Sequence, residues 1–455
     1  QGSSVLEAEN LVIDGSYSGA SSEEQGLRMW GESNAYIDNL TVSNNQNYGI
    51  TLWLSSIETN GILNLSNNSR AINVGKGASF TTKSKINISG SNNRAINVFQ
   101  GIYEGWDGTL NVTNTSGAIF RASQAKVLIK HLEAAGKETN DAELVRFGQS
   151  SCDLYNIELS NSVKTALQFY NSVCYIENVQ INNSKDVGLS SDKNSDITIR
   201  NGSFTNNKVG LRAWNLSSLD LDNVTVTKNS DDGLEIGGNS FLNLKNSTVS
   251  ENNDKGIGGY NSMIRIDNSK LTSNKDDGIQ ASDSSIEVRN SSISSNQDEG
   301  IDISRNSSLE LRDSAISENI ENGIDIRRNS YARVDNSTIK DNSENGISLS
   351  RNSYLDLSGS VISSNKKDGV NIHNNSILDF GGDINEPSTT IELNGEDGVD
   401  ASNQVIVEFD GGPVNIQNNT GKQIQFGANT ETYIPNSSLN TTSIDCWYRS
   451  SQDPN

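Results

Sequence analysis

The sequence has little of what common catalytic and membrane functions require. Its only histidines are His131 and His373, which lie in unrelated contexts, so a histidine general base is poorly supported. No apolar run approaches the roughly 18 residues of a membrane-spanning helix. Hydrophobic residues make up only 33% of the chain, a fraction that would suggest disorder if they were scattered. They are instead arranged in a strict pattern.

Positive charge is also scarce. The net charge is -22 and the sequence pI is about 4.5, which argues against binding to nucleic acid or to anionic membranes. An acidic surface usually serves as a solvated coat, and the alternative is cation binding. Adjacent acids such as Asp231-Asp232 and Asp276-Asp277 could bind Ca²⁺, although no fixed ligand loop accompanies them. No other cofactor is expected.

A short unit recurs between Leu219 and Ile372. Each copy contains a glycine followed by leucine, isoleucine or valine, and the spacing between these glycines is 22 or 23 residues: Gly233, Gly256, Gly278, Gly300, Gly323, Gly346 and Gly369. A unit this short cannot bury its own core. Such repeats form solenoids in which each copy packs on its neighbours.

Apolar residues alternate within each copy, as at Leu219 and Leu221, Val224 and Val226, and Leu234 and Ile236. Alternation with β-branched residues predicts strands, three to a copy. Polar and glycine-rich turns separate them and leave no room for a helix. The pattern therefore predicts a coil of three short strands, each pairing in parallel with its equivalent one turn along.

Asparagine recurs at three positions of each copy, beginning with Asn223, Asn229 and Asn239. Asparagine tolerates the left-handed backbone conformation at sharp corners, and stacked amides about 4.8 Å apart can hydrogen-bond as ladders. The glycine before the third strand is predicted to have a positive φ.

These repeats resemble the right-handed parallel β-helix proteins of the pectate-lyase-like superfamily, whose coils of about 22–24 residues carry asparagine ladders. The resemblance implies an all-β fold: a single right-handed parallel β-helix of about 18 coils over residues 1–426. Residues 427–455 are expected to form a partial coil, a lid or an assembly tail. The superfamily contains enzymes, adhesins and surface proteins, so the fold does not identify a function.

The outward positions of the third strand are the main catalytic candidates, because enzymes of this superfamily usually hold sugar chains there. Asp302 and Asp325 should lie one coil apart, as a carboxylate pair of the kind that glycosidases use. The alternative is an incidental stack of acids relieved by Arg305, Arg328 and Arg351. The sequence lacks the polygalacturonase-like motifs Asn-Thr-Asp, Gly-His-Gly and Arg-Ile-Lys and the Asp-Pro-His-Asp motif of alginate epimerases, which favours the alternative.

Three further groups are candidate sites, each with a structural alternative. Trp30, Trp53 and Trp214 follow the third strand at one corner and could form a sugar platform or pack over the solenoid edge. Cys152 and Cys174 occupy the same inward position in consecutive coils and could form a disulfide or remain buried thiols. Three sequons at outward strand positions are glycosylation candidates: Asn64, Asn87 and Asn111.

The favoured function is that of an extracellular or cell-surface structural or adhesive protein, because the copies are uniform and few long loops interrupt them. The strand pattern begins by Val5 and the chain ends in an aromatic tail, Cys446-Trp447-Tyr448, so end-to-end self-association into filaments is expected. Polysaccharide or cell-surface glycans are candidate partners. The alternative is a polysaccharide lyase or glycoside hydrolase that uses Asp302 and Asp325.

Overall fold

The computed structural model describes residues 4–15, 25–91, 93–106, 108–113, 115, 117–136, 142–382, 387–409, 411–427, 430–433, 439–441 and 444–446. Every regular element in these ranges is a β-strand, and no helix among them could cross a membrane. The chain divides into two compact units, Gln1–Ser230 (unit 1) and Asp231–Asn455 (unit 2).

The strands of unit 1 are β1 Val5–Asp14, β2 Gln25–Trp30, β3 Asn34–Ser43, β4 Tyr48–Trp53, β5 Ser56–Thr59, β6 Ile62–Ser66, β7 Arg70–Val74, β8 Ser79–Thr82, β9 Lys85–Ser89, β10 Ile96–Phe99, β11 Ile102–Gly105, β12 Leu110–Thr113, β13 Phe120–Ser123, β14 Lys126–Ile129, β15 Leu132–Ala135, β16 Val145–Gly148, β17 Ser151–Ser160, β18 Leu167–Tyr170, β19 Val173–Asn182, β20 Val187–Asp192, β21 Asp196–Thr205, β22 Val209–Trp214 and β23 Ser218–Thr227.

The strands of unit 2 are β24 Leu234–Lys245, β25 Thr248–Ser250, β26 Ile257–Asp267, β27 Lys270–Thr272, β28 Ile279–Ser282, β29 Ser285–Arg289, β30 Ser292–Ser294, β31 Ile301–Ser304, β32 Ser308–Arg312, β33 Ala315–Ser317, β34 Ile324–Arg327, β35 Tyr331–Asp335, β36 Thr338–Lys340, β37 Ile347–Ser350, β38 Tyr354–Ser358, β39 Val361–Ser363, β40 Val370–His373, β41 Ile377–Asp379, β42 Thr389–Glu392, β43 Val399–Ser402, β44 Ile406–Glu408, β45 Val414–Gln417, β46 Ile424–Phe426, β47 Glu431–Tyr433, β48 Leu439–Thr441 and β49 Ile444–Cys446.

Each turn contributes one strand segment to each of three parallel sheets. In unit 2, for example, β29 lies in the first sheet, β30 in the second and β31 in the third, and each pairs in parallel with its equivalent in the next turn. The described residues form about 17 such turns. The predicted all-β parallel solenoid is therefore confirmed. Strands β47, β48 and β49 continue the pairing into the segment predicted to be a tail, whereas Trp447 and Tyr448 lie outside the described residues.

The core of each unit is a stack of inward side chains from the three sheets. Ile279, Ile301, Ile324 and Ile347 occupy one inward column of unit 2, and none of them is exposed. Unit 1 instead contains a buried column of aromatic rings, in which Phe147 and Phe169 stack with centroids 5.3 Å apart. Alternation of apolar and polar residues along each strand predicted this arrangement.

The predicted asparagine ladder is present in the interior of unit 2. The side-chain Nδ2 of each ladder asparagine donates to Oδ1 of the next, as from Asn296 to Asn319 at 3.0 Å and from Asn319 to Asn342 at 3.0 Å. The backbone N–H of Asn296 donates to the same Oδ1 at 3.1 Å. Each amide thus satisfies the polar groups of the turn before it, deep inside the solenoid.

The backbone conformation at this ladder differs from the left-handed conformation that was predicted for its asparagines. The ladder residue Asn319 does not have a positive φ; the residue before it, Glu318, does, at 59°. The other two asparagine positions have the predicted conformation, as at Asn290 (49°) and Asn306 (59°). The asparagines inside the solenoid are therefore selected for hydrogen bonding, and those at the outer corners for their backbone conformation.

The prediction of a positive φ at the glycine before each third strand was wrong. Gly278, Gly300 and Gly323 do not have a positive φ. A Cβ on Gly300 would lie 2.5 Å from the carbonyl oxygen of Gly323, 2.6 Å from Cγ2 of Ile316 and 2.8 Å from Nδ2 of Asn319. Glycine is needed because the next turn approaches too closely for any side chain.

Candidate functional site

One row of outward side chains follows the third sheet through unit 2. Its members are paired in register from turn to turn, and we call this row with its flanking residues the third-sheet face: Glu235, Gly258, Gln280, Asp302, Asp325, Ser348, Asn371, Asp400 and Gln425. The row contains carboxylates and neutral polar groups but no basic residue. Because strands in a sheet lie about 4.8 Å apart, side chains in this row contact those of adjacent turns.

A second row lies beside it, at the residue that precedes each glycine. Here a side-chain oxygen accepts the backbone N–H of the equivalent residue one turn along, as Oδ1 of Asp277 does from Glu299 (3.0 Å) and Oδ1 of Asn322 does from Asn345 (3.2 Å). Aspartate and asparagine both meet this requirement. The carboxylate of Asp277 therefore has a structural role, which the sequence interpretation did not identify.

Asp302 and Asp325 lie side by side in adjacent strands of the third-sheet face. They point away from the core, yet they are only 4% and 5% exposed. Both bind one guanidinium, with Asp302 Oδ2 2.5 Å from Arg327 Nη2 and Asp325 Oδ2 3.1 Å from Arg327 Nε. The second oxygen of each carboxylate, Oδ1, is buried without a hydrogen-bond partner. The structure therefore brings the predicted pair together in a buried, incompletely satisfied cluster.

The arginine that compensates this pair is not among those expected. Arg305, Arg328 and Arg351 are exposed at corners with positive φ, and within the described residues none of them forms an ion pair with a carboxylate. Arg327 precedes Arg328 by one residue and lies at an outward strand position, from which its guanidinium reaches back to Asp302 in the preceding turn. Strand alternation, applied to residues 324–327, could have identified it.

Burial shifts the acid–base properties of this face. It raises the pKa of Asp302 to about 6, against the opposing effect of Arg327. Burial also raises the pKa of Asp325. The neighbouring carboxyls shift further, because burial and mutual repulsion raise the pKa of Asp277 to about 8 and that of Glu299 to about 10. Carboxyl groups that retain protons near neutral pH are typical of acid–base sites.

The face also carries groups of acids with ligand atoms close enough to surround a cation. These groups are Asp231, Asp232 and Asp254; Asp276, Asp277 and Asp298; and Asp298, Glu299 and Glu321. The ammonium of Lys255 already lies 3.8 Å from Asp232 and 3.1 Å from Asp254, which supplies positive charge to the first group. Binding of Ca²⁺ stays a prediction, since acidic groups of this kind occur commonly without an ion.

The aromatic candidates lie in unit 1. Trp30 and Trp53 belong to adjacent turns and stack with ring centroids 6.5 Å apart, and they are 55% and 39% exposed. The guanidinium of Arg28 lies 4.1 Å from the centroid of Trp30. Trp214 ends strand β22 several turns away and is 36% exposed. The structure therefore places two of the three tryptophans together, and the third apart from them.

The cysteine and sequon candidates also lie in unit 1. Cys152 and Cys174 are paired in register with Cα atoms 4.6 Å apart, and their sulfur atoms are joined in a disulfide. Asn64, Asn87 and Asn111 form one outward row in consecutive turns, and Nδ2 of Asn87 donates to Oδ1 of Asn64 at 2.9 Å. Glycosylation of this row stays a prediction.

Comparison with known proteins agrees with this architecture. The family model described as the right-handed β-helix region matches residues 145–281 and 255–420, which together span more than half of the chain. The chain belongs to the right-handed β-helix family. No sequence among curated proteins matches this β-helix significantly.

Several solved structures resemble this β-helix at low identity. The periplasmic alginate epimerase AlgG is 12% identical over 91% of this chain and 78% of that one, with a TM-score of 0.37. The A-module of mannuronan C-5 epimerase AlgE4 from Azotobacter vinelandii is 10% identical over 85% and 91%, with a TM-score of 0.32. Pectate lyase Pel9A is 14% identical over 57% and 68%, with a TM-score of 0.26. Similarity at these levels concerns the fold alone.

Proposed function

We propose that this β-helix binds a neutral polysaccharide on the third-sheet face of unit 2 and hydrolyses it with the carboxyl groups of Asp302 and Asp325. The observation that carries the proposal is their burial as a pair on Arg327, with one oxygen of each left without a partner. The fold does not require carboxylates there, since Gln280 and Ser348 occupy the same register in adjacent turns. Costly groups that a fold does not need are characteristic of functional sites.

The separation of the two residues supports a retaining mechanism. Adjacent strands place the Cα atoms of Asp302 and Asp325 about 4.8 Å apart across the sheet, a spacing that allows their carboxyls to lie about 5 Å apart, as in retaining glycosidases. Asp302, with its pKa near 6, can donate a proton to the glycosidic oxygen and later accept one from water. Asp325 then acts as the nucleophile, and Arg327 positions both side chains.

The charge of the face favours a neutral glycan over a polyuronate. Asp277 repels Asp302 and Glu299 repels Asp325 on this face, and Asp400 lies three turns further along the outward row, which has no basic residue. A polyanionic chain would be repelled at this surface unless cations intervened. Sugar hydroxyls, by contrast, donate hydrogen bonds readily to carboxylate oxygens.

Turnover of neutral polysaccharides tests this proposal. Incubation of the protein with a panel of soluble β- and α-glucans, mannans and xylans should release reducing ends from at least one of them. Asp302→Asn and Asp325→Asn should each lower that rate at least about 100-fold, because each removes a group that acts in the transition state. Glu310→Gln, an outward acid of the first sheet, is the matched control and should retain activity. Equal activity in all three variants would exclude this site.

A second candidate is a non-catalytic adhesive or structural protein. The close similarity of successive turns between Leu219 and Ile372 favours it, because enzymes usually surround their reacting groups with irregular loops. In that case the same face would bind a glycan, and Asp302→Asn would weaken binding in the absence of any turnover. Self-association into filaments stays a prediction, which sedimentation velocity over a range of concentrations measures directly.

Under either function we place the protein outside the cytoplasm. The disulfide between Cys152 and Cys174 supports this location, because structural disulfides form and persist mainly in oxidising compartments.

A further inference from the structure

The third sheet of unit 1 carries a face of opposite character to that of unit 2. Its outward row, paired in register from turn to turn, contains four arginines and no carboxylate: Arg28, Thr51, Asn73, Asn97, Arg121, Arg146, Gln168, Ser190 and Arg212. Unit 1 as a whole has 18 basic and 22 acidic side chains, whereas unit 2 has 17 and 35. The excess negative charge of the protein is thus concentrated in unit 2.

Three arginines converge in the middle of this face. Arg121 and Arg146 occupy adjacent strands. Asn97 is paired with Arg121 on the side opposite Arg146. Nη1 of Arg94 donates a hydrogen bond to Oδ1 of Asn97 at 3.4 Å. Within the described residues, no carboxylate oxygen lies within 4.0 Å of their guanidinium nitrogens. Burial and the positive charges of Arg121 and Arg70 lower the pKa of Arg94. Glu143 and Asp192 lie near Tyr170, but neither forms an ion pair with these arginines. Clustered, half-buried cations without a carboxylate in direct contact are the arrangement expected of an anion site.

Aromatic rings and a neutral acceptor adjoin the arginines. The ring of Tyr170 lies under Arg146, 4.6 Å from its guanidinium carbon, and 5.3 Å from the ammonium of Lys193. Phe99, beside Asn97, is 43% exposed. Gln168 is only 9% exposed, and its Oε1 is buried without a hydrogen-bond partner. Such surfaces can stack on sugar rings while the polar groups bind their substituents.

We propose that this face of unit 1 binds a sulfated polysaccharide, with Arg94, Arg121 and Arg146 as the sulfate site and Tyr170 as the stacking surface for a sugar ring. A sulfate ester presents three acceptor oxygens, enough to engage several guanidinium groups that approach from different turns, whereas a carboxylate presents two. The repeat of the solenoid, about 4.8 Å per turn, lets an extended glycan cross successive turns and meet these cations in order. The site is separate from the proposed hydrolytic face and does not depend on it.

The experiment compares chondroitin 4-sulfate with the same polymer after chemical removal of its sulfate. The two probes share a backbone and its carboxylates, so any difference in affinity for the full-length protein reports the sulfate. We expect the sulfated chain to bind about ten-fold tighter or more at about 0.15 M salt, where distant acidic charges are screened. Equal affinity for the two polymers, or no binding of the sulfated one, would overturn the proposal.

Variants test the residues. The double variant Arg94→Gln/Arg121→Gln should remove about ten-fold or more of the affinity for the sulfated probe, while Arg121→Lys, which keeps the charge but loses the planar fork, should lose less. Lys126 is exposed on the first sheet of unit 1, and Lys126→Gln changes the net charge by the same amount as one arginine substitution. This variant should bind the sulfated probe as the wild type does. A loss in Lys126→Gln equal to that in Arg121→Gln would mean that general charge, and not this site, attracts the polymer. Hydrolysis of neutral glycans, measured separately, should be unchanged in the arginine variants.

Discussion

At the scale of single residues, this solenoid is limited by how closely its turns approach each other. The glycine before each third strand faces the carbonyl of the next glycine and the amide of a ladder asparagine, and at Gly300 the nearest of these atoms is 2.5 Å from where a Cβ would lie. A positive φ was expected there because glycine in turns usually has that role. A single sequence contains no direct record of such a close approach between turns.

Gly300→Ala is therefore expected to be strongly destabilising. The new methyl group must displace the backbone carbonyl of Gly323, which cannot rotate away, so we expect a loss of about 2–3 kcal/mol. Gly258→Ala is the matched control, because its Cβ would meet only side-chain atoms, Oδ2 of Asp232 at 3.0 Å and Cδ of Lys255 at 3.7 Å, and no backbone atom within 4 Å. Urea denaturation followed by circular dichroism measures both. Similar midpoints for the two variants would contradict this account of the glycine.

Asp277 should make the stability of the protein depend on pH. Burial raises its pKa to about 8, well above that of an unfolded aspartate, so the folded state binds an extra proton between about pH 4 and pH 8. Stability from this group is complete below the unfolded pKa and is lost as the pH rises towards 8. Wild-type protein should therefore have a higher melting temperature at pH 5 than at pH 8.

Asp277→Asn should reduce this pH dependence and raise the melting temperature at pH 8. Asparagine keeps the oxygen that accepts the N–H of Glu299, as Asn322 does for Asn345 in a later turn. The control is Asp313→Asn, a corner residue at the surface, which should leave the pH profile unchanged. A profile for Asp277→Asn that matches the wild type would show that this carboxyl does not titrate as inferred.

At the scale of strands and turns, the fold could be predicted because two periodicities agree. Alternation gives the inward face of each strand, and the repeat of 22 or 23 residues gives its partner, so the register of Asp302 with Asp325 followed directly. The burial of these outward carboxylates did not follow. It arises because Arg327 from the same sheet covers them, and the conformation of a long side chain is not encoded in a strand pattern.

The asparagine ladder provides the prediction at this scale. Asn319→Ala removes the oxygen that accepts both the backbone N–H and the Nδ2 of Asn296. The backbone N–H is then buried without a partner, and Nδ2 keeps only the carbonyl oxygen of Leu271, at 3.5 Å. We expect a loss of about 2–5 kcal/mol, since each unsatisfied buried donor costs about 1–3 kcal/mol. Gln297→Ala, at the exposed neighbouring position, should change stability by less than about 0.5 kcal/mol.

Hydrogen exchange distinguishes this mechanism from a general loss of packing. In Asn319→Ala the amide of Asn296 should exchange faster than amides several turns away, because a solenoid turn interacts directly with its neighbours alone. Uniform acceleration across unit 2 would argue against a local role for the ladder.

At the scale of the whole molecule, the two units divide charge between them. Residues 1–230 have a net charge of -4 and residues 231–455 have a net charge of -18, although both are built from the same kind of turn. In unit 2 the corner carboxylates of consecutive turns, such as Asp276 and Asp298, come within 4.8 Å of each other. This repulsion is retained in a fold that could avoid it, which supports the function proposed for the acidic face.

Salt should consequently stabilise the two units unequally. Raising ionic strength from about 0.02 M to about 0.5 M shortens the screening length from roughly 20 Å to roughly 4 Å, so repulsion along the acidic rows weakens while hydrogen bonds and packing change little. Amide protection in β31 should therefore increase more than protection in β13, its counterpart in the third sheet of unit 1. The measurement is hydrogen exchange of the intact protein at both salt concentrations, with sucrose as a control that strengthens burial without screening charge.

An equal gain in the two strands would mean that the carboxylates of unit 2 are already neutralised, by protons or by bound cations. Repeating the exchange at pH 8 with a chelator separates these two causes, because a chelator removes a bound cation and restores the effect of salt, whereas it leaves protonated carboxyl groups unchanged.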